Sequence, residues 1–276
     1  VLVRFLDGEM DPRCLLLAFG SIEWAVGLLR GKGGRELDLA VVRNAAALAD
    51  VLSCYFPLSF SPPKDAAKTV TREDLLEALF SCYCSTPSLF PHLIQLLEDR
   101  FPSPKSETKV EGLRLLGYFL EKFAGDLRAD YEEHDEKKQE LEALVDQAWD
   151  LLRGQISQRQ DTASTVADAS CDVASRALEA LGKLADLLGP CSLKVVDLAF
   201  EDAEVVAALA ACASGPSGSE DPPHRPKSKT MAHCRALEVL STVAGSSVLA
   251  FAEVLRRTRE AVDVLQGLDQ EPILAV

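Results

Sequence analysis

The chain has 276 residues, a formal charge of −14 and a sequence pI of about 4.8. Apolar residues make up 47% of it, with only 16 glycines and 14 prolines, so composition excludes a largely disordered chain and permits a continuous core. The acidic balance excludes a broad basic face, so direct nucleic-acid binding driven by counterion release is not expected.

The first helix is expected just after Asp11-Pro12. Aspartate suits an N-cap, and proline suits the first helical position, where its missing N–H costs nothing. Leu15, Phe19, Ile22, Val26 and Leu29 then recur at steps of four and three, the spacing of a single buried stripe. Gly31, Gly33 and Gly34 are read as the stop, and a second helix is expected from about Glu36 to Cys54.

Cys54-Tyr55-Phe56-Pro57-Leu58-Ser59-Phe60-Ser61-Pro62-Pro63 holds three prolines and cannot be helical throughout. Its aromatics still favour burial, so it reads as an ordered loop packed on helices. Thr71, followed by Glu73 and Asp74, opens the next helix, with Leu75, Leu79 and Cys82 as its stripe. A break at Ser85-Thr86-Pro87 leads to a partner helix carrying Leu89, Leu93, Leu96 and Leu97. Ser103-Pro104 reads as another capped start, with Leu113, Leu116, Leu120, Phe123 and Leu127 as its stripe.

The charged stretch Asp130 to Glu142 begins a further helix whose apolar positions are Leu141, Leu144, Val145, Ala148 and Leu152. Helices are then expected at about 163–188, 192–213, 229–245 and 246–267, the last with Val248, Phe251, Leu255, Val262 and Leu265 as its stripe. The stretch 214–229 lacks apolar anchors and reads as a flexible loop between helices. No run of alternating β-branched residues suggests a strand.

The fold class is therefore all-α: about ten amphipathic helices in five consecutive pairs, one region over 1–276. No such helix buries its apolar side alone, and stacking pairs solves that problem in an α-solenoid. The irregular loops at 55–70, 154–163 and 214–229 suit HEAT-type repeats better than stricter arrays. No apolar stretch is expected to reach the roughly 18 residues of a membrane span. The first residues lack the form of a signal peptide. Without an initiator methionine, the chain reads as part of a longer protein.

Eight cysteines, at 14, 54, 82, 84, 171, 191, 212 and 234, are scattered through apolar runs, and Asn44 is the sole asparagine, so no glycosylation sequon exists. Both features suit a reducing cytosolic or nuclear compartment. Cys82-Tyr83-Cys84 is the closest pair, but residues i and i+2 of a helix point about 200° apart, so they read as core thiols rather than ligands. His233-Cys234 invites a base–nucleophile reading, yet neighbouring helix residues diverge by about 100°.

The four histidines, His92, His134, His224 and His233, form no metal motif. Gly31-Lys32-Gly33-Gly34 follows no strand and lacks the ending of a phosphate loop. Tyr131-Glu132-Glu133-His134-Asp135-Glu136 reads as a solvated helix face. No catalytic residue, cofactor ligand or metal ligand is assigned, and no enzymatic activity is expected.

Several segments resemble a known family. Phe5-Leu6-Asp7-Gly8-Glu9-Met10-Asp11-Pro12-Arg13-Cys14-Leu15-Leu16-Leu17-Ala18-Phe19 is similar to a segment of the MMS nineteen family of large HEAT-repeat proteins. So, more strongly, is Ser53-Cys54-Tyr55-Phe56-Pro57-Leu58-Ser59-Phe60-Ser61-Pro62-Pro63, followed by Arg72-Glu73-Asp74-Leu75. Ser85-Thr86-Pro87, Leu96-Leu97-Glu98 and Lys109 to Leu116 continue the match, which covers about residues 5–120.

The resemblance implies an adaptor of the cytosolic iron–sulfur assembly targeting complex. Such an adaptor presents apo-proteins of DNA repair, replication and transcription, such as repair helicases, polymerases and primase, for [4Fe–4S] insertion. It implies partners among the other subunits of that complex and iron–sulfur clients, and a cytoplasmic and nuclear location. Family members bind the complex mainly through a C-terminal HEAT region, whereas this chain resembles the N-terminal region. The alternative is a generic HEAT scaffold of the transport or phosphatase-scaffold type, against which the Tyr55-Phe56-Pro57 loop argues.

Overall fold

The computed structural model describes residues 6, 8–32, 34–60, 70–133, 135–157, 167–188, 193–213 and 227–268. Among these residues the chain is all-α, with eleven α-helices, one short 3-10 turn and no strand. The helices are α1 (Pro12–Lys32), α2 (Gly34–Ser53), α3 (Arg72–Tyr83), α4 (Phe90–Arg100), α5 (Ser106–Glu133) and α6 (Asp135–Ser157). They continue as α7 (Ala167–Leu188), α8 (Lys194–Glu201), α9 (Ala203–Ala213), α10 (Lys227–Gly245) and α11 (Val248–Leu268). The chain divides into two compact units, Val1–Asp126 and Leu127–Val276.

In the first unit, α1 packs on α2 and α3, and α2 also meets α4. Leu15, Phe19, Ile22 and Val26 of α1 are all buried, as their spacing predicts. The Asp11 carboxylate accepts from the amides of Arg13 (2.8 Å) and Cys14 (3.4 Å), so the expected cap forms. Thr71 closes a full capping box with Asp74: its Oγ1 accepts from the Asp74 amide, and the Asp74 carboxylate accepts from the Thr71 amide. A stacked ring pair, Phe90–Phe119 at 5.2 Å, joins α4 to α5, and Phe123 lies 4.9 Å from Phe119. Gly112 sits where α5 crosses Leu97 and Phe101; a Cβ there would come within 2.8 Å of each.

The Tyr-Phe-Pro loop folds inward. Phe56 and Leu58 are buried, and the Tyr55 ring meets Phe19 edge-on at 5.7 Å. The Tyr55 hydroxyl donates to the carbonyl of Leu6 and lies 3.3 Å from that of Glu9. Arg72 donates to the Leu58 carbonyl through Nε (3.2 Å) and Nη2 (3.1 Å), and pairs with the buried Glu111 at 2.5 Å. Arg100 donates to the Ser53 carbonyl. The arginine bonds to the Leu58 and Ser53 carbonyls supply donors that a continuous helix would have provided internally.

In the second unit, α6 packs on α7, and α7 on α10. α10 also meets α9 and α11. Ala174, Ala177, Ala180 and Ala185 line the buried side of α7, and such small side chains permit close helix approach. Arg128 donates to the carbonyls of Asp186 and Leu187, at the end of α7 where acceptors lack helical partners.

Several expectations are corrected. The helix expected over 192–213 is two helices broken at Asp202, whose ψ of 118° leaves the helical region. Its carboxylate accepts from the amides of Glu204 (2.9 Å) and Val205 (3.2 Å), so the same aspartate that interrupts α8 caps α9. The helix expected from Pro104 starts at Ser106, because Ser103 closes a turn on Lys105 instead (3.3 Å). It runs on to Glu133, well past the expected start of the next helix at Asp130.

α1 continues through Gly31 to Lys32, and α2 starts at Gly34; Gly33 lies outside the described residues. α6 reaches Ser157, into the loop expected from 154. Of the loop expected at 214–229, residues 227–229 belong to α10 and 214–226 lie outside the described residues. Finally, Pro12–Arg30 is 19 residues long with a mean hydropathy of 1.4, so its length and composition do meet the membrane criterion. Only Arg13, Glu23 and Arg30 are charged within it, but Leu15, Phe19, Ile22 and Val26 are buried in the protein core.

Candidate interaction surfaces

α1 is apolar on two sides. Opposite the buried stripe, Leu17 is 72% and Trp24 is 69% exposed, and Cys14, Gly20, Ser21 and Gly27 are exposed with them. An isolated exposed apolar residue is ordinary, whereas several on one helix side mark an interaction surface. Beside this strip lies an open groove of about 670 Å³ lined by Gly20, Glu23, Trp24, Gly27, Leu28, Arg30, Ser85 and Lys122. Gly20 and Gly27 have no atom within 4 Å of where a Cβ would stand.

The groove's charges are matched within its wall. Arg30 pairs with Asp126 at 2.8 Å, donates to the Ser85 carbonyl and lies over the Phe123 ring at 5.3 Å. Lys122 stands 3.8 Å from Glu23. This electrostatically neutral rim leaves the apolar knobs and glycine hollows as the groove's distinguishing chemistry.

A second apolar surface lies on α11. Val248, Phe251 and Leu255, expected to be buried, are 86%, 53% and 55% exposed. The helix turns Ala250 and Val254 inward instead, against α10 and α9. On the same helix, Arg257 pairs with Asp197 at 2.5 Å and lies over the Phe200 ring at 5.7 Å.

The motif candidates do not converge on a site. Cys82 and Cys84 are both buried. Burial pushes the Cys82 thiol up to about 12, with the nearby Glu23 carboxylate adding to it. Burial likewise raises Cys84, against a smaller opposing pull from Lys122. Thiols so raised stay protonated at neutral pH and make poor nucleophiles and ligands. Cys234 is exposed, while the His233 side chain lies outside the described residues, as do those of Cys171 and Cys191.

In the acidic run, the Tyr131 hydroxyl donates to Glu142 at 2.9 Å, so that tyrosine braces α5 on α6. His134, His224, Gly33 and the side chains of Gly31, Lys32 and Gly34 lie outside the described residues. Among the described residues, no three histidine, cysteine or acidic side chains gather closely enough to hold a metal.

Sequence reading missed the outer side of α1, since a stripe search stops once one side is explained. The signal was present: Leu17 and Trp24 are large, apolar and off the core stripe, each three positions from a glycine.

Comparison with known proteins decides the family. A family model described as Dos2-interacting transcription regulator of RNA-Pol-II matches residues 1–157, more than half of the chain. The chain belongs to this family. Proteins named MMS19 nucleotide excision repair protein homolog share its sequence: that of Arabidopsis thaliana is 35% identical over 111 residues, 40% of this chain. The Dictyostelium discoideum protein is 32% identical over 124 residues, 45% of this chain, and the Homo sapiens protein 32% over 114 residues, 41%.

These matches span 9–10% of the relatives' own length, so the chain corresponds to a small portion of them. The Xenopus laevis protein matches farther, over 178 residues at 28% identity, or 64% of this chain. The family is thus one of nucleotide-excision-repair and transcription proteins. The inward-folded loop at 53–60 and the α1 surface both lie within the family region, whereas the α11 surface lies beyond residue 157.

Proposed function

We propose that this chain is a non-catalytic scaffold segment of the cytosolic iron–sulfur assembly targeting machinery. It helps present apo-proteins of DNA repair, replication and transcription for [4Fe–4S] insertion, in the cytoplasm and the nucleus. Family membership over residues 1–157 is the observation that carries this reading. The fold supports it: successive helices bury one side each and leave other sides open, which suits a surface that gathers several proteins and raises their effective concentration.

The test is affinity purification of the full-length protein containing this segment, followed by iron–sulfur loading of its clients in cells depleted of it. Recovery of assembly factors with iron–sulfur enzymes, and loss of radiolabelled iron from those enzymes on depletion, are expected. Recovery of transport or phosphatase subunits instead, with client iron unchanged, would refute the reading.

A further inference from the structure

A serine hydroxyl at the end of α6 is held among charges. Ser157 is the last residue of that helix and is partly exposed. Its Oγ accepts from Arg153 Nη1 at 2.8 Å and donates to Glu204 Oε2 at 3.1 Å. Arg235 of α10 reaches the same helix end, where its Nη1 donates to the Ile156 carbonyl at 2.8 Å. The final carbonyls of a helix lack helical donors, so such an end ordinarily repels an anion. Here a guanidinium already covers it. One hydroxyl therefore has an arginine bound to it and a second at the adjoining peptide. That arrangement suits a phosphate, whose acceptor oxygens match guanidinium donors.

The sequence marks the same residue. Ser157 is followed by Gln158, and no other serine or threonine in the chain precedes a glutamine. Glutamine directly after the target is the pattern read by one class of serine/threonine kinases. The stretch Gln158 to Thr165 carries no large apolar side chain whose burial a docking kinase would have to undo.

We propose that Ser157 is a phosphorylation site, and that its phosphate displaces Glu204 from Arg153 and draws in Arg235. In the transfer, the bond between the γ-phosphorus of ATP and its bridging oxygen breaks, and a bond from that phosphorus to Ser157 Oγ forms. ADP leaves, and the hydroxyl proton passes to solvent. With that proton gone, Ser157 no longer donates to Glu204, and a doubly charged group faces that carboxylate at hydrogen-bond range. One carboxylate must then yield. Asp202 is 14% exposed, holds Arg153 by two prongs and caps α9. Glu204 is 51% exposed and holds Arg153 through one oxygen at 3.0 Å, so it is Glu204 that turns to solvent. Arg153 thereby exchanges a partner on α9 for one on α6, and the first turn of α9 keeps only its Asp202 cap. This inference does not depend on the proposed iron–sulfur role.

The test is treatment of the purified 276-residue chain with a glutamine-directed kinase and ATP, followed by peptide mapping, phosphorus NMR and hydrogen exchange. A phosphate on Ser157 is expected, absent from Ser157→Ala, with circular dichroism showing both chains folded. The phosphate's second ionisation, ordinarily about 6, is expected at least about one unit lower, the tenfold preference for the dianion that adjacent guanidinium groups confer. Arg235→Gln leaves the Arg153–Asp202 pair in place and is expected to move that ionisation back toward its ordinary value. Exchange of the amides at 204–206 is expected to quicken on phosphorylation. A folded chain left unmodified at Ser157, a phosphate that titrates at its ordinary value, or unchanged exchange at 204–206 would overturn the inference.

Discussion

Asp202→Ala tests how the second unit is held together. The Asp202 carboxylate receives the Arg153 guanidinium in a two-pronged bond, Nε to Oδ2 at 2.5 Å and Nη2 to Oδ1 at 2.9 Å, while its Oδ1 caps α9. The two side chains are only 9% and 14% exposed, so the pair is largely desolvated. Removing one partner of a buried pair costs about 3–5 kcal/mol, but Glu204 still reaches Arg153 at 3.0 Å and lowers that to about 2–3 kcal/mol. Losing the cap adds about 1 kcal/mol, for a total of about 3–4 kcal/mol.

For a unit of this size, that total lowers the melting temperature by roughly 10 °C. Asp202→Ser keeps a capping oxygen and loses only the charge, so it falls about 1 kcal/mol short of alanine's effect. Urea and thermal unfolding followed by circular dichroism measure both. The pH dependence adds a sign. Burial alone would raise the Asp202 carboxyl, but the Arg153 bonds and the Val205 and Glu204 amides outweigh it and hold it below its ordinary 3.8. A depressed folded value gives stabilisation that is present above that pH and fades as pH falls beneath it. The gap between parent and Asp202→Ser therefore closes in acid below about pH 4. Variants within about 0.5 kcal/mol of the parent at neutral pH would show that Arg153 and Asp202 do not brace the break between α8 and α9.

Three further outcomes are expected. Leu113→Ala and Leu120→Ala, both buried in α5, each lower unfolding free energy by about 2–5 kcal/mol, and unchanged stability of both would contradict the core of the first unit. Gly112→Ala destabilises by about 1–3 kcal/mol through its collision with Leu97 and Phe101, whereas Gly27→Ala, in open space, stabilises by a few tenths to about 1 kcal/mol; paired urea titrations distinguish them. A thiol reagent at neutral pH modifies exposed Cys14, Cys54, Cys212 and Cys234 on the native chain and spares Cys82 and Cys84 until denaturant is added, as peptide mapping will register.

What could be read from sequence was what local chemistry decides. Asp11 and Thr71 sit at helix starts because their side-chain oxygens answer amides two and three residues away, a relation wholly contained in the sequence. The α1 core stripe and the burial of Phe56 were equally legible, from spacing and from the cost of exposing an aromatic. Asp202 was not, since an aspartate inside an apolar run can face solvent from a continuous helix or cap a new one. Arg153, 49 positions away, settles the choice. The α11 stripe failed for a related reason: the helix carries apolar residues on two sides, and its packing on α9 and α10 turns Ala250 and Val254 inward. The α1 surface was hidden by success, because its first stripe already explained the helix.

The mooring of Leu6 and Glu9 by Tyr55 bears on how the polypeptide acquires order as it leaves the ribosome. The opening turn has its anchor almost fifty residues downstream, and that anchor's own loop waits for Arg72, Arg100 and finally Glu111 to emerge. Synthesis must therefore pass residue 111 before the segment holding Leu6 and Glu9 has its whole anchorage. Until then the apolar α1 is without its docking site, which makes nascent chains of the first unit natural clients for a holding chaperone.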